Sequence, residues 1–353
     1  MLLYIHIPFC DSKCNYCAFN SYTHLHSFKD SYMKALNLEL TNRLKSLNKK
    51  IETVFIGGGT PSTIEPSYYK ELLNIIKPYE LNKNIEKTIE ANPNSANKNW
   101  LEEIYSLGIN RVSFGVQSFD DDKLSFLARN HNKNQAIEAI NNASKIGFEN
   151  INCDIIYDTI KDNKKLITKD LQIISSLPIN HISAYSLTLE EGTKFFNKSN
   201  VRLEDEELAR YIFDYLDNLG FKQYEISNFA LNHSVKSSHN LGYWRYKEYL
   251  GVGCGAVGCI DNTRYYNQTD IETYIKDPFS YKDTEILNGD DIRIEKILLA
   301  LRSEVGFDID ILSKEQYQNI LELIKIDKVY IKDDKVFSKD YLLADELALF
   351  IDN

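Results

Sequence analysis

"LLYIHIPFCDSKCNYC", residues 2–17, runs an apolar, β-branched segment straight into three cysteines, Cys10, Cys14 and Cys17. The first six of these residues, Leu2 to Ile7, read as a strand, so three thiols in a C-x-x-x-C-x-x-C spacing stand just past its C-terminal end. The same alternation repeats along the chain. Strand-like runs recur at Thr53 to Ile56, Lys87 to Ala91, Arg111 to Val116, Asn150 to Ile156 and His181 to Leu187. Between them lie helical patterns such as "SYMKALNLELTNRLKSL", "NKNWLEEIYSLG" and "NKNQAIEAINNASKIG", the last two ending at glycines suited to a helix C-terminus. Strands alternating with helices imply parallel pairing through right-handed crossovers, hence an α/β fold with a complete or partial (β/α) barrel. In such a barrel chemistry gathers where the strands end.

Polar groups recur at that edge. "GGGTPS", Gly57 to Ser62, follows the second strand; "EANP" with Glu90 ends the third; "GVQSF" with Gln117 ends the fourth; "NCDIIYD" carries Asp154 in the fifth. Their convergence predicts one mouth that collects the site. By strand alternation Tyr4, His6 and Pro8 share a face, which places Tyr4 and His6 toward the barrel interior.

Composition bounds the class. The 353 residues exceed the usual single core of about 100 to 200 residues. Hydrophobic content of 43% is ordinary for a globular chain. No apolar stretch approaches the roughly 20 residues that cross a bilayer, so no membrane span is expected. An apparent strand starting at Leu2 leaves no room for a secretory signal, and a cytoplasmic location is expected. Six cysteines, three of them clustered, suggest reduced thiols rather than a disulfide framework. With 51 acidic against 41 basic residues the formal charge is −10, which disfavours a nucleic-acid partner.

Three thiolates without a fourth suit a 4Fe-4S cluster with one iron open, able to chelate an amine and a carboxylate. The amino-acid end of S-adenosylmethionine supplies both. The alternative is a zinc site made of the three cysteines and His6, although zinc pairs more commonly occur as C-x-x-C with a distant second pair. The cysteine peptide resembles the signature of the radical SAM superfamily. That resemblance implies a partial (β/α)6 barrel in which the backbone of Gly58, Gly59 and Thr60 approaches the methionine amine. It also implies that Glu90 and Arg129 clamp the ammonium and carboxylate, that Gln117 and Asp154 hold ribose hydroxyls, and that Tyr4 lies among the cofactor-binding residues. A reduced cluster would cleave S-adenosylmethionine to a deoxyadenosyl radical, which calls for an electron donor.

"YIHIPFC", "GGGTPS", "RVSFGVQSF", "ISAYSLTLEEGT", "YEISNFA" and "HNLGYW" occur in this order between residues 4 and 260. Together they resemble the group containing oxygen-independent coproporphyrinogen III dehydrogenases, enzymes of porphyrin biosynthesis, and HemW-type heme chaperones. The dehydrogenases carry a fourth cysteine two positions after the motif, where this chain has Phe19, and an N-terminal extension that is not seen before Tyr4. Both departures favour the chaperone branch. The resemblance then implies heme as a ligand, recognised by His239, Tyr243 and Trp244 of "HNLGYW", and an unidentified acceptor protein. In "GVGCGAVGC" a family histidine is replaced, leaving Cys254 and Cys259 as alternative iron ligands or, like Cys153, small packing residues. His24, His26 and His131 are expected to be solvated or locally bonded.

The expected division is a barrel over residues 1–230, an extension over 231–290 and a small winged-helix-like α+β module over 291–353. The acidic tail, with Asp340, Asp345 and Glu346, argues against DNA binding by that module. Expected function is a heme chaperone carrying a 4Fe-4S cluster and S-adenosylmethionine. The alternatives are a coproporphyrinogen III dehydrogenase and, more remotely, a nucleic-acid-modifying radical SAM enzyme.

Overall fold

The structure, a computed structural model, describes residues 1–352. Six parallel strands form its centre: β1 (Leu2–Ile7), β2 (Thr53–Gly58), β3 (Glu86–Ala91), β4 (Arg111–Gln117), β5 (Asn150–Tyr157) and β6 (His181–Ser186). The helices α1 (Lys29–Leu47), α2 (Pro66–Ile76), α3 (Lys98–Ser106), α4 (Asp121–Phe126), α5 (Lys133–Ile146) and α6 (Lys164–Ser176) lie between them. The partial barrel expected from the alternation is the observed architecture.

Local chemistry explains the boundaries. Asn97, Asn132 and Asn163 cap α3, α5 and α6 by accepting from the backbone N–H of Trp100, Gln135 and Leu166, satisfying donors that a helix start leaves free. One face of β1, with Leu3, Ile5 and Ile7 fully buried, packs under the helices. Its other face carries Tyr4 and His6 into the lumen, where the matching positions on β2 to β6 hold Phe55, Thr88, Glu90, Ser113, Asn152, Asp154, His181 and Ser183. The lumen is therefore lined largely by polar and aromatic groups.

The sheet does not stop at six strands. After α7 (Glu206–Asn218) a short hairpin, β7 (Lys222–Gln223) and β8 (Asn228–Ala230), adds antiparallel to β6. Beyond α8 (Ser238–Trp244), β9 (Tyr249–Val252) pairs parallel with β1, and β10 (Val257–Ile260), β11 (Thr263–Asn267) and, after α9 (Ile271–Lys276), β12 (Tyr281–Ile286) follow antiparallel. The result is one 12-stranded sheet running from β12 to β7, open between those edges.

The last segment contains α10 (Gly289–Leu301), β13 (Phe307–Asp308), α11 (Lys314–Lys325), β14 (Val329–Lys332), β15 (Lys335–Ser338) and α12 (Ala344–Asp352). Helix, helix, hairpin and helix follow in the expected order. The hairpin turns on Asp333 and Asp334, both with positive φ, as a tight two-residue connection requires. Ile297, Leu301, Phe307, Ile320, Leu323, Val336 and Ile351 give this segment a hydrophobic core of its own.

Candidate functional site

The loop after β1 is held from three sides. Cys10 N–H donates to Tyr22 O at 3.0 Å, Asn15 N–H to Leu127 O at 3.1 Å, and Phe195 N–H to Asn15 O at 3.0 Å. These bonds present Cys10, Cys14 and Cys17 at the mouth of the barrel. Two of the thiols receive hydrogen bonds: Thr60 Oγ1 donates to Cys10 Sγ at 3.3 Å and Arg129 Nη1 to Cys14 Sγ at 3.4 Å. Burial pushes the Cys10 and Cys17 thiols up from their ordinary value, which a metal that binds thiolate would reverse.

His6 is not available to a zinc ion. Its Nδ1 accepts from Tyr4 OH at 2.9 Å and its Nε2–H donates to Asn20 O at 2.8 Å, while burial lowers its pKa to about 4. Among the described residues no three Cys, His, Asp or Glu side chains close on one point as ligands of a single ion. Three thiols at a polar mouth, two of them already facing donors, are a donor set that fits a cluster with thiolate corners.

Gly57 to Thr60 fold back over the end of β1, Gly59 N–H donating to Ile7 O at 2.8 Å and Thr60 N–H to Phe9 O at 2.7 Å. Glycine is required at Gly58, where φ is 110° and a Cβ would lie 2.6 Å from the His6 ring. Its N–H donates to Glu90 Oε2 at 3.1 Å. Loss of water, then the neighbouring Asp154, raises the Glu90 carboxyl to about 8. Asp154 is also pushed up by burial, against hydrogen bonds from Ser183, Asn152 and Ser113. Two carboxyls held above their ordinary range in one lumen suit a cationic or hydrogen-bond-donating ligand.

Arg129 crosses the mouth. Its Nη2 donates to Asn92 Oδ1 at 2.6 Å and to Gly115 O, while Nε is buried without a hydrogen-bond partner among the described residues. Asn92 Nδ2 in turn reaches Thr60 Oγ1 at 3.4 Å, linking Arg129 to the donor on Cys10. Gln117 sits at a β-bulge opposite β5 with φ of 70°, and its Oε1 is also buried without a hydrogen-bond partner among the described residues. Sequence reading missed Asn92, although it stands in the quoted "EANP".

"HNLGYW" lies elsewhere. It forms α8, whose first amides, Ser238 and His239, donate to Glu86 at 2.9 and 3.0 Å. Glu86 and Thr53 begin β3 and β2, so α8 sits under the opposite end of strands that rise roughly 16 Å to the mouth. His239 is 1% exposed; its Nδ1 pairs with Thr53 Oγ1 at 2.8 Å and its Nε2 with Tyr243 OH at 3.2 Å, and burial lowers its pKa to about 3. Both imidazole nitrogens are thus engaged in hydrogen bonds. Tyr243 stacks edge-on against His239 and Tyr249, and Trp244 Nε1 is buried without a partner among the described residues.

Cys254 is fully buried, donates to Thr269 O at 3.3 Å and has its thiol pushed up to about 12 by burial first, the profile of a packing residue. Cys153 is likewise fully buried. His131 is 5% exposed rather than solvated, its Nε2 bonded to Val116 O at 3.0 Å. Tyr4 stacks on Phe55 and shares the lumen with Glu90.

Residues 4–171 match the radical SAM superfamily. The chain is 35% identical over 320 residues to the heme chaperone HemW of Bacillus subtilis, covering 86% of this chain and 83% of that protein. It is 36% identical over 269 residues to HemW of Escherichia coli, covering 73% and 70%. Its fold matches the coproporphyrinogen III oxidase HemN of Escherichia coli with a TM-score of 0.84 at 20% identity, covering 100% of this chain and 90% of that one. At that identity the match speaks for the fold. The cysteine loop at the mouth of a partial barrel and the extent of these likenesses agree: the chain belongs to the HemW family of radical SAM proteins.

Proposed function

We propose that this protein is a heme chaperone that holds a 4Fe-4S cluster on Cys10, Cys14 and Cys17, binds S-adenosylmethionine beside it, and passes heme to an acceptor protein. The observation that carries the reading is the convergence at one mouth of three thiols, an arginine with a buried unused donor, and two carboxyls held above their ordinary range. When bound, the cluster supplies an open iron and one electron. The chain supplies the rest. Glu90, once ionised, accepts from the methionine amine beside the Gly58 and Gly59 backbone; Arg129 turns its free donor to the carboxylate; Gln117 and Asp154 accept from the ribose hydroxyls. Tyr4 closes the lumen below Glu90 and helps exclude water.

Heme recognition is assigned to the aromatic face of α8, Tyr243 and Trp244, with His239 holding that face in place. A barrel over 1–230, an extension over 231–290 and a C-terminal module over 291–353 divide these tasks, in a cytoplasmic protein served by an electron donor. No described helix is long and apolar enough to cross a membrane.

The test is anaerobic reconstitution followed by heme titration and product analysis. About four irons and four sulfides per chain, loss of both in the Cys10, Cys14 and Cys17 triple alanine variant, saturable binding of one heme and no protoporphyrinogen IX from coproporphyrinogen III are expected. Repeated decarboxylation without heme binding would make the chain a dehydrogenase.

A further inference from the structure

Gln117 occupies an unusual backbone position. Its φ of 70° is rare for a residue with a Cβ, and the bulge that contains it shifts the register of β4 against β5. Side chains of Gln117 and Arg129 crowd over Gly115, where a Cβ would lie 3.2 Å from each. Such a conformation persists only when its surroundings over-determine it. The surroundings are visible one residue on. Ser118, fully buried, donates from Oγ to Asp170 Oδ2 at 2.6 Å, and Phe119 N–H donates to Asp170 Oδ1 at 3.0 Å. Ser118 Oγ also accepts from Asp120 N–H at 3.1 Å. Asp170 lies on α6, 4% exposed. A carboxylate from the outer helical layer therefore grips both the side chain and the backbone immediately after the strained residue.

Among the described residues the hydrogen bonds of Asp170 go to Ser118 and Phe119 and to none of the mouth's proposed ligand contacts, so a role in binding must act through the turn it holds. A buried carboxylate is costly for folding alone, since an apolar helix face would pack against β4 without it. What apolar packing would not do is fix the direction in which residue 117 leaves the strand.

We propose that Asp170 is a positioning residue: by binding Ser118 and Phe119 it holds the turn that aims Gln117 into the mouth, and it thereby sets the affinity for the ribose of S-adenosylmethionine. This rests on the reading of Gln117 as a ribose contact given above.

The experiment is a double-mutant cycle on the full, anaerobically reconstituted chain, with S-adenosylmethionine dissociation constants read by equilibrium dialysis and iron and sulfide content measured in every variant. Asp170→Asn is expected to weaken binding about tenfold in the wild-type background, the worth of one charge-assisted hydrogen bond. In a Gln117→Ala background it is expected to add nothing. Cluster content stays unchanged throughout. An equal loss in both backgrounds, or no loss in the wild-type background, overturns the proposal. A Gln117→Ala variant with unchanged affinity overturns instead the ribose reading on which it rests, so the two failures are distinct. Should Asp170→Asn not fold, Ser118→Ala removes one of the two bonds. It is expected to weaken binding about threefold, again only when Gln117 is present; a loss independent of Gln117 refutes the proposal.

Discussion

Arg129 and Cys14, 115 positions apart in the chain, meet with Nη1 3.4 Å from Sγ. The contact joins the two halves of the proposed site: one guanidinium serves a thiol through one nitrogen and keeps Nε buried without a hydrogen-bond partner among the described residues. With Thr60 on Cys10, it places hydrogen-bond donors on two of the three sulfurs.

Donors to sulfur stabilise the more negative, reduced cluster and so raise its potential. Thr60→Val and Arg129→Met are each expected to lower the midpoint potential by on the order of 50 mV, close to tenfold in a one-electron equilibrium. Redox titration followed by electron paramagnetic resonance checks this. Arg129→Met alone is expected also to weaken S-adenosylmethionine binding, which a Thr60→Val variant of unchanged affinity would isolate.

Glu90 makes that binding depend on pH. Its carboxyl is raised to about 8 in the free protein, chiefly by burial and then by Asp154, so below that pH it is largely neutral. A ligand amine that donates its N–H to Glu90 favours the ionised form and expels the proton. Affinity should therefore rise with pH between about 6 and 8, by up to tenfold per unit for each proton released, and hold above about 8, because an open iron takes the unprotonated amine. Stability of the free protein runs the other way. The unfolded chain ionises Glu90 first, near its ordinary value of 4.5, so this group's contribution declines as pH climbs from there to about 8. Glu90→Gln should bind more weakly with a flattened rise below pH 8; a rise of wild-type steepness in that variant would place the titrating group elsewhere.

His239 distinguishes support from ligation. Removing its ring in His239→Ala strands Thr53 Oγ1 and Tyr243 OH, a loss of about 1 to 3 kcal/mol in unfolding free energy. The heme absorption spectrum of the variant should keep the same axial ligation, at lower affinity. A changed axial ligand with undiminished stability would show that α8 opens to release the imidazole.

The pair Lys123 and Asp162 is fully buried, with Nζ 2.5 Å from Oδ1 and 2.6 Å from Ile156 O. Lys123 lies on α4, whose C-terminal carbonyls of Phe126 and Leu127 hold Asn15 of the cysteine loop. Lys123→Met leaves a buried carboxylate without its partner, and a loss of about 3 to 5 kcal/mol is expected in denaturant unfolding. The double variant Lys123→Met with Asp162→Asn should recover part of it. Iron retention should follow the same order if α4 anchors the loop.

The sequence by itself determined the six central strands, the three thiols after the first, Glu90 and Gln117 at the ends of others, and Asp154 within the fifth. These follow from local rules: a strand or helix declares itself by short-range periodicity, and a parallel β/α repeat sends every strand's end to the same edge. Only the tertiary structure decided which polar groups meet there. Asn92 pairs with Arg129 37 positions away and Ser118 with Asp170 at 52, distances over which no periodicity carries information. The same is true of α8. Its motif reads as a heme-recognition set, and β9, returning to pair with β1, draws the helix beneath the barrel, where His239 meets Thr53. A side chain's chemistry is written in its residue type; whether its lone pairs are free is settled by what the fold packs against it.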